Sequence, residues 1–172
     1  MINKLKDIKV YYSGAIKGTP EPDPEFAWKL VNYMSEQGID VLSEHVASRT
    51  EEEKNRLMSK RIGKTVAEFQ SDPEPWFGVR RQDVKWVEEA THVVALVNGP
   101  SLGVGMEVEH ALLKPKLGMN KTPILCLVRE DILPKLSYMI RGVTSDESEM
   151  FQIKTYNTLE EAQEHILEFL SK

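Results

Sequence analysis

Cysteine is almost absent: the chain has one, Cys126, inside the apolar run "PILCLV". A lone thiol excludes an internal disulfide framework and a cysteine-based metal cluster, and its apolar surroundings mark it as a core residue. No apolar run reaches membrane-spanning length, so a membrane protein of the helical kind is excluded. The opening "MINKLKDIKVYYSG" carries basic residues but neither a long apolar segment nor a small-residue cleavage site. Secretion is therefore not expected, and a cytoplasmic location is. Positive charge is also in deficit, with 22 Lys and Arg against 27 Asp and Glu for a net charge of -5. Polymeric nucleic acid is an unsuitable partner for such a surface, whereas a local basic pocket for one small anion stays open. The four histidines, His45, His92, His110 and His165, have no ligand spacing, and no metal site is expected.

What is present is an ordinary globular composition, 41% hydrophobic and 28% charged over 172 residues, sufficient for the core of a single domain. Short runs rich in β-branched and aromatic residues fall at Ile8 to Gly14, Asp40 to Ser43, His92 to Asn98, Pro123 to Arg129 and Met150 to Tyr156. They read as five strands. Between them, Pro24 to Gln37, Arg80 to Ala90, Val104 to Lys114 and Leu159 to Leu170 carry apolar residues at helical spacing, with Asn157 or Thr158 as cap of the last. Alternation of this kind predicts an α/β, doubly wound fold, Rossmann-like or flavodoxin-like, with a five-stranded, mainly parallel sheet flanked by helices. Residues 49–80 form an insertion: a charged helical stretch, then "SDPEPWFGV" as a turn-rich linker. Trp76 and Phe77 in that linker suit either a satellite hydrophobic cluster or a lid over a planar ligand.

In doubly wound sheets ligands bind beyond the carboxyl ends of the strands. The loops there contain "SGAIKGTPEPDPE", "NGPSLGVGME" and "REDILPKLSYMIRG". Gly14 and Gly18 allow close backbone approach, Lys17 supplies charge, and Ser101 offers a hydroxyl beside the amides of a helix start, a set suited to phosphate. Neither "SGAIKG" nor "GVG" is a recognised nucleotide fingerprint, and glycine in such turns also serves the turn alone. Glu107 is expected in the first helical turn after Gly105, where the dipole favours its ionised form. Asp83 shares a helical face with Trp86, Val87 and Ala90, so partial desolvation should raise its pKa and let it donate a proton. One ionised and one protonated carboxylate are the pair that cleaves glycosidic bonds. A helix-end charge for Glu107 and a structural hydrogen bond for Asp83 are the competing readings. Arg80 and Arg81 either attract an anion or are simply solvated. His45 in "SEHVAS" could touch a ligand or be satisfied locally, and receives no catalytic role.

The segments "YYSGAIKG", "LSEHVAS", "RRQDVKWVEEATHVVALVNGPSLGVGMEVEHAL", "ILCLV" and "LSYMIRG", in this order, resemble the 2'-deoxynucleoside 5'-monophosphate N-glycosidases of the nucleoside 2-deoxyribosyltransferase superfamily. The resemblance covers most of the chain and is most specific at "PSLGVGME" and "MIRG". It implies hydrolysis of deoxynucleoside monophosphates to free base and 2-deoxyribose 5-phosphate, without a cofactor. By motif position, Glu107 matches the nucleophile that forms a covalent glycosyl intermediate, Asp83 the proton-handling residue, and Tyr11 the tyrosine that orients the nucleophile. Gly14, Ile16, Lys17, Gly18, Ser101, Gly103 and Gly105 match substrate-binding positions. Ser137, with Met139 beside it, matches a serine sent across a dimer interface to the neighbouring phosphate, which implies a homodimer. Arg141 and Gly142 shape either the site wall or the dimer contact. The chain departs from the pattern at Ala15, where relatives carry serine, at Lys17, which replaces arginine, and at Met106, which replaces an aromatic residue; these changes bear on phosphate and base.

Three alternatives stand beside this reading. A 2-deoxyribosyltransferase would use the same nucleophile and pass the sugar to a second base. A ribonucleotide N-glycosidase acting on cytidine monophosphates would differ at the sugar. A non-catalytic nucleotide-binding module would share only the scaffold.

Overall fold

The computed structural model describes residues 7–15, 21–71 and 73–172. Its sheet holds five parallel strands in the order β2-β1-β3-β4-β5. These are β1 (Lys9–Gly14), β2 (Asp40–Val41), β3 (His92–Leu96), β4 (Ile124–Arg129) and β5 (Phe151–Tyr156). The chain runs from β1 through α1 (Phe26–Glu36) to β2 on one side, then returns through α2 (Glu51–Ile62), α3 (Val66–Gln70) and α4 (Pro75–Glu89) to β3. It continues through α5 (Leu102–Leu113), β4, the short α6 (Tyr138–Arg141), β5 and α7 (Leu159–Leu170). The expected doubly wound fold is therefore present. Connections diverge where β1 and β3 lie side by side, with Gly14 in register with Leu96 at their carboxyl ends, which is where such sheets bind ligands.

Both faces of the sheet are covered, which explains why "VVAL" and "ILCLV" are apolar without alternation. On one face Val10, Tyr12, Val94, Leu96, Leu125 and Leu127 pack with residues of α1 and α7. On the other, Tyr11, Val93, Ala95, Cys126 and Val128 pack with Trp86 and Val87 of α4 and Val104 and Val108 of α5. Cys126 is fully buried there, and its thiol is pushed up to about 12 by desolvation. Tyr11 and Tyr12 thus face opposite layers, as the two-residue period of a strand demands.

Local chemistry sets the helix ends. Thr158, not Asn157, caps α7 by accepting from the Glu161 amide, and Thr65 with Glu68 forms a complete capping box on α3. Gly63 stops α2 at φ 70°, a left-handed conformation that glycine adopts without strain. Lys114, 2% exposed, donates its ammonium to the Val87 and Ala90 carbonyls at 3.1 and 2.9 Å, placing a cation on the carboxyl end of α4.

Several expected boundaries move, three of them near the site. β2 ends at Val41 where Ser43 was expected. The insertion holds two helices, and "PWFGV" belongs to α4, not to a linker: Pro75 occupies the first helical turn, where its missing N–H costs nothing. The helix expected from Arg80 therefore starts a turn and a half earlier. Likewise α5 begins at Leu102 and not Val104, because Ser101 accepts from the Val104 amide as N-cap and the glycines that follow remain helical.

Candidate active site

Helices α4 and α5 both start at the carboxyl edge of the sheet and form the two walls of a cleft of about 510 Å³. From α4 come Trp76, Val79, Arg80, Asp83, Val84 and Val87; from α5 come Gly103, Met106, Glu107 and His110. Each set follows the three-to-four-residue spacing of one helical face, so the sequence commits a complete stripe of each helix to the cleft. A Cβ at Gly103 would come no nearer than 3.9 Å to Ser101 Oγ, and one at Gly105 would meet nothing within 4 Å. These glycines keep the α5 wall low despite their cost to the helix.

Glu107 is the hub of the cleft. The Ser13 hydroxyl donates to its Oε2, and the Tyr11 hydroxyl also bonds its carboxylate. Burial raises the Glu107 pKa, while those two donors oppose the rise by stabilising the anion. This corrects the expectation that the helix dipole would set its charge: α5 starts early enough that Glu107 lies in the second turn. Two hydroxyls favour its ionised form, against desolvation. Asp83 behaves as its apolar stripe foretold, with its pKa pushed up to about 7 by burial and then by the Glu107 charge. Tyr11 is 2% exposed, and burial together with both carboxylates raises its pKa, keeping it a neutral donor. At neutral pH the site can hold one carboxylate ionised and the other carrying a proton.

Tyr11, Asp83, Glu107 and Gly103 are brought together, as their motif positions imply. Ser13 was missed, although a strand period of two puts it on the face of Tyr11. Gly14 earns its place by packing: a Cβ there would sit 2.9 Å from Tyr12 Cε1. Ile16, Lys17 and Gly18 lie outside the described residues. Ser101 and Gly105 border a second groove of about 890 Å³ on the far side of α5, with Ser137 and Met139 opposite. Ser137 caps α6, accepting from the Met139 amide, and it does not line the Glu107 cleft.

The other singled-out residues take lesser positions. His45 packs its ring 5.4 Å from that of Trp86, and burial lowers its pKa to about 4, so it is neutral. His110 meets Glu88 at 3.1 Å, His165 the Thr155 carbonyl at 3.0 Å, and His92 packs edge-on against Phe169. Arg81 lies in a different depression with Lys64 and Lys85, and Arg141 borders one with Lys154 and His165. Trp76 and Phe77 form no buried cluster: they are 59% and 55% exposed.

Fold and site define a Rossmann-like α/β protein with paired, partly desolvated carboxylates beneath the topological switch point, an arrangement suited to glycosidic chemistry. No family model matches the chain. Curated proteins do: it is 31% identical to a putative 2'-deoxynucleoside 5'-phosphate N-hydrolase 1 of Thermofilum pendens over 159 residues, 92% of each chain. It is 34% identical to the 5-hydroxymethyl-dUMP N-hydrolase of Rattus norvegicus over 86% of this chain and 76% of the relative. The human protein of that name is 33% identical over 86% and 71%. The chain belongs to the 2'-deoxynucleoside 5'-phosphate N-hydrolase family, whose members are N-glycosidases. None of its helices, among the described residues, is long and apolar enough to cross a membrane.

Proposed function

We propose that this chain hydrolyses the N-glycosidic bond of 2'-deoxynucleoside 5'-monophosphates through a covalent glycosyl-Glu107 intermediate. The observation that carries the reading is the asymmetric pair: Glu107 held by the Tyr11 and Ser13 hydroxyls, and Asp83 pushed up to about 7 in the same cleft. The functions by which the relatives are named, N-hydrolysis of deoxynucleoside 5'-phosphates and of 5-hydroxymethyl-dUMP, agree with it.

In the first step a Glu107 carboxylate oxygen bonds to C1' of the sugar as the C1'–N bond breaks. The bonding electrons leave with the base, and the base takes the Asp83 proton. In the second step Asp83, now a carboxylate, takes a proton from water while the water oxygen bonds to C1' and the ester to Glu107 breaks. Glu107 is regenerated, Asp83 regains its proton, and 2-deoxyribose 5-phosphate departs with the atoms in balance. Tyr11 and Ser13 spread the charge that returns to Glu107 in the second step.

The 5'-phosphate belongs at the start of α5, where the Leu102 and Gly103 amides precede the first intrahelical bond and Ser101 retains a hydroxyl proton to donate. Gly14, Gly105 and, outside the described residues, Lys17 would complete its anchorage. A homodimer would bring Ser137 of the partner subunit to it. The apolar groove between α5 and α6, with Leu102 and Met139 90% and 81% exposed, suits that association. Holding the phosphate orients the sugar for attack, so remote binding energy is used at C1'.

Chromatography of the products from each deoxynucleoside monophosphate, its ribonucleotide and its nucleoside, with and without a second base, tests the reading. Base release confined to the deoxynucleotides, without exchange, is expected. Glu107→Gln should lower kcat by at least about 10³-fold while keeping nucleotide binding. Base exchange on nucleosides would make the chain a transferase, and an unchanged rate in the variant would remove Glu107 as nucleophile.

A further inference from the structure

We propose that Trp76 and Arg80, on the first turns of α4, form a base subsite that selects nucleotides whose base carries a ring carbonyl over those carrying an amino group in its place. The inference rests on the glycosidase reading and adds the substrate class to it.

Trp76 and Arg80 are four residues apart, so they stand one above the other on the helical face that also carries Val79 and Asp83. All four line the cleft. Arg80 lies one turn from Asp83, yet it joins no ion pair among the described residues. Among the described side chains lining the cleft it is the one permanent cation, and His110 is engaged by Glu88. A guanidinium has donors and no acceptor. It can bond a carbonyl oxygen, or the oxygen and adjacent ring nitrogen of a 6-oxopurine with both prongs, but it gains nothing from an exocyclic amino group. Trp76 is 59% exposed at the same end of the cleft, with Met106 lining the opposite wall. An indole held there offers a face for any base to stack on, which supplies affinity without discrimination.

The arrangement divides the work. Asp83 protonates the leaving base, Trp76 holds its plane, and Arg80 reads its carbonyl edge. Because the base gains electrons as C1'–N breaks, a guanidinium on its carbonyl also takes up part of that charge, so Arg80 should act on kcat as well as KM.

Two substrate pairs isolate the carbonyl: dUMP against dCMP, and dIMP against dAMP. The ratio of kcat/KM within each pair, measured in the wild type, Arg80→Gln and Arg80→Lys, is the readout. Comparing the same pair across variants cancels the intrinsic leaving ability of each base. The wild type should favour the carbonyl member, and Arg80→Gln should reduce the ratio by ~10-fold or more, the usual consequence of losing a charge-assisted hydrogen bond. Arg80→Lys should keep part of it for dUMP and less for dIMP, because an ammonium lacks the fork. Trp76→Ala should raise KM for all four substrates with both ratios unchanged, and Trp76→Phe should restore it. Arg80 and Trp76 are exposed, so thermal melting of the variants should match the wild type. Activity with no carbonyl preference, or with a preference that survives Arg80→Gln, overturns the subsite alone. Absence of base release from every monophosphate overturns the glycosidase reading and the subsite with it.

Discussion

Tyr11 and Tyr12 are consecutive, 2% and 1% exposed, and both have phenol pKa values raised by burial, yet they occupy different worlds. Tyr11 points between α4 and α5 and donates a hydrogen bond from its hydroxyl to the Glu107 carboxylate. Tyr12 points into the layer of α1 and α7, wedged against Gly14, and its hydroxyl has no partner among the described residues. One strand therefore meets a cluster of ionisable groups on one face and only packing on the other. The chemically loaded face is the one where α4 and α5 begin together at the carboxyl edge. Burial alone does not make a site; burial with a second ionisable group across a gap does.

After Glu107→Gln, the largest effect expected on the loaded side belongs to Asp83→Asn. Removing the proposed proton donor should cost kcat about 10²–10⁴-fold for bases that leave poorly as anions. In the wild type kcat/KM should fall as pH rises through about 7, where Asp83 loses its proton, and that limb should vanish in the variant. Stability should follow the same trend with pH. A carboxyl whose folded pKa lies above its unfolded value binds its proton more tightly when folded, so stability falls as pH rises from the ordinary aspartate range through about 7. Above that pH the full penalty remains, and Asp83→Asn should then be more stable than wild type by roughly 2 kcal/mol. Melting curves at pH 5 and pH 8 measure the difference; equal gains at both would remove desolvation as the cause.

The tyrosines provide the next test. Tyr11→Phe should reduce kcat by about 10–100-fold by removing one of the two donors to Glu107. Tyr12→Phe removes a hydroxyl that satisfies nothing, so activity should be unchanged and stability equal to or up to about 1 kcal/mol above wild type. A comparable loss of activity from both variants would show that the two faces are not separated as their contacts suggest.

Legibility in the sequence followed the same divide. The strands and their order of helices were readable because β3 and β4 are apolar on both faces and α1 and α7 have clear stripes. Asp83 was readable as a misfit on such a stripe. The starts of α4 and α5 were not, since "PEPW" and "SLGVG" contain the residues that usually break helices. What overrides them is tertiary: the Ser101 cap and the docking of Val104 and Val108 in one case, and Pro at the first turn in the other. That error moved Glu107 from the first turn to the second and hid the face on which Trp76 and Arg80 join Asp83. Ser13 was overlooked for a different reason. Its partner lies 94 residues away, and no local pattern announces it.

Ser13 also supplies the smallest and most pointed prediction. Its hydroxyl donates to Glu107 Oε2 from the same strand face as Tyr11, so two donors favour the Glu107 anion against a desolvation that raises its pKa. Losing one donor while Tyr11 remains should cost only a few-fold in kcat at neutral pH. The pH profile is more revealing. With less stabilisation of the anion, Glu107 should hold its proton to higher pH, so the acid limb of kcat/KM should move upward in Ser13→Ala. Ser13→Thr retains a hydroxyl and should restore the limb. A shift of the basic limb instead would mean that the hydroxyl acts on Asp83. A uniform loss at every pH would mean that Ser13 shapes the cleft without tuning the charge of Glu107.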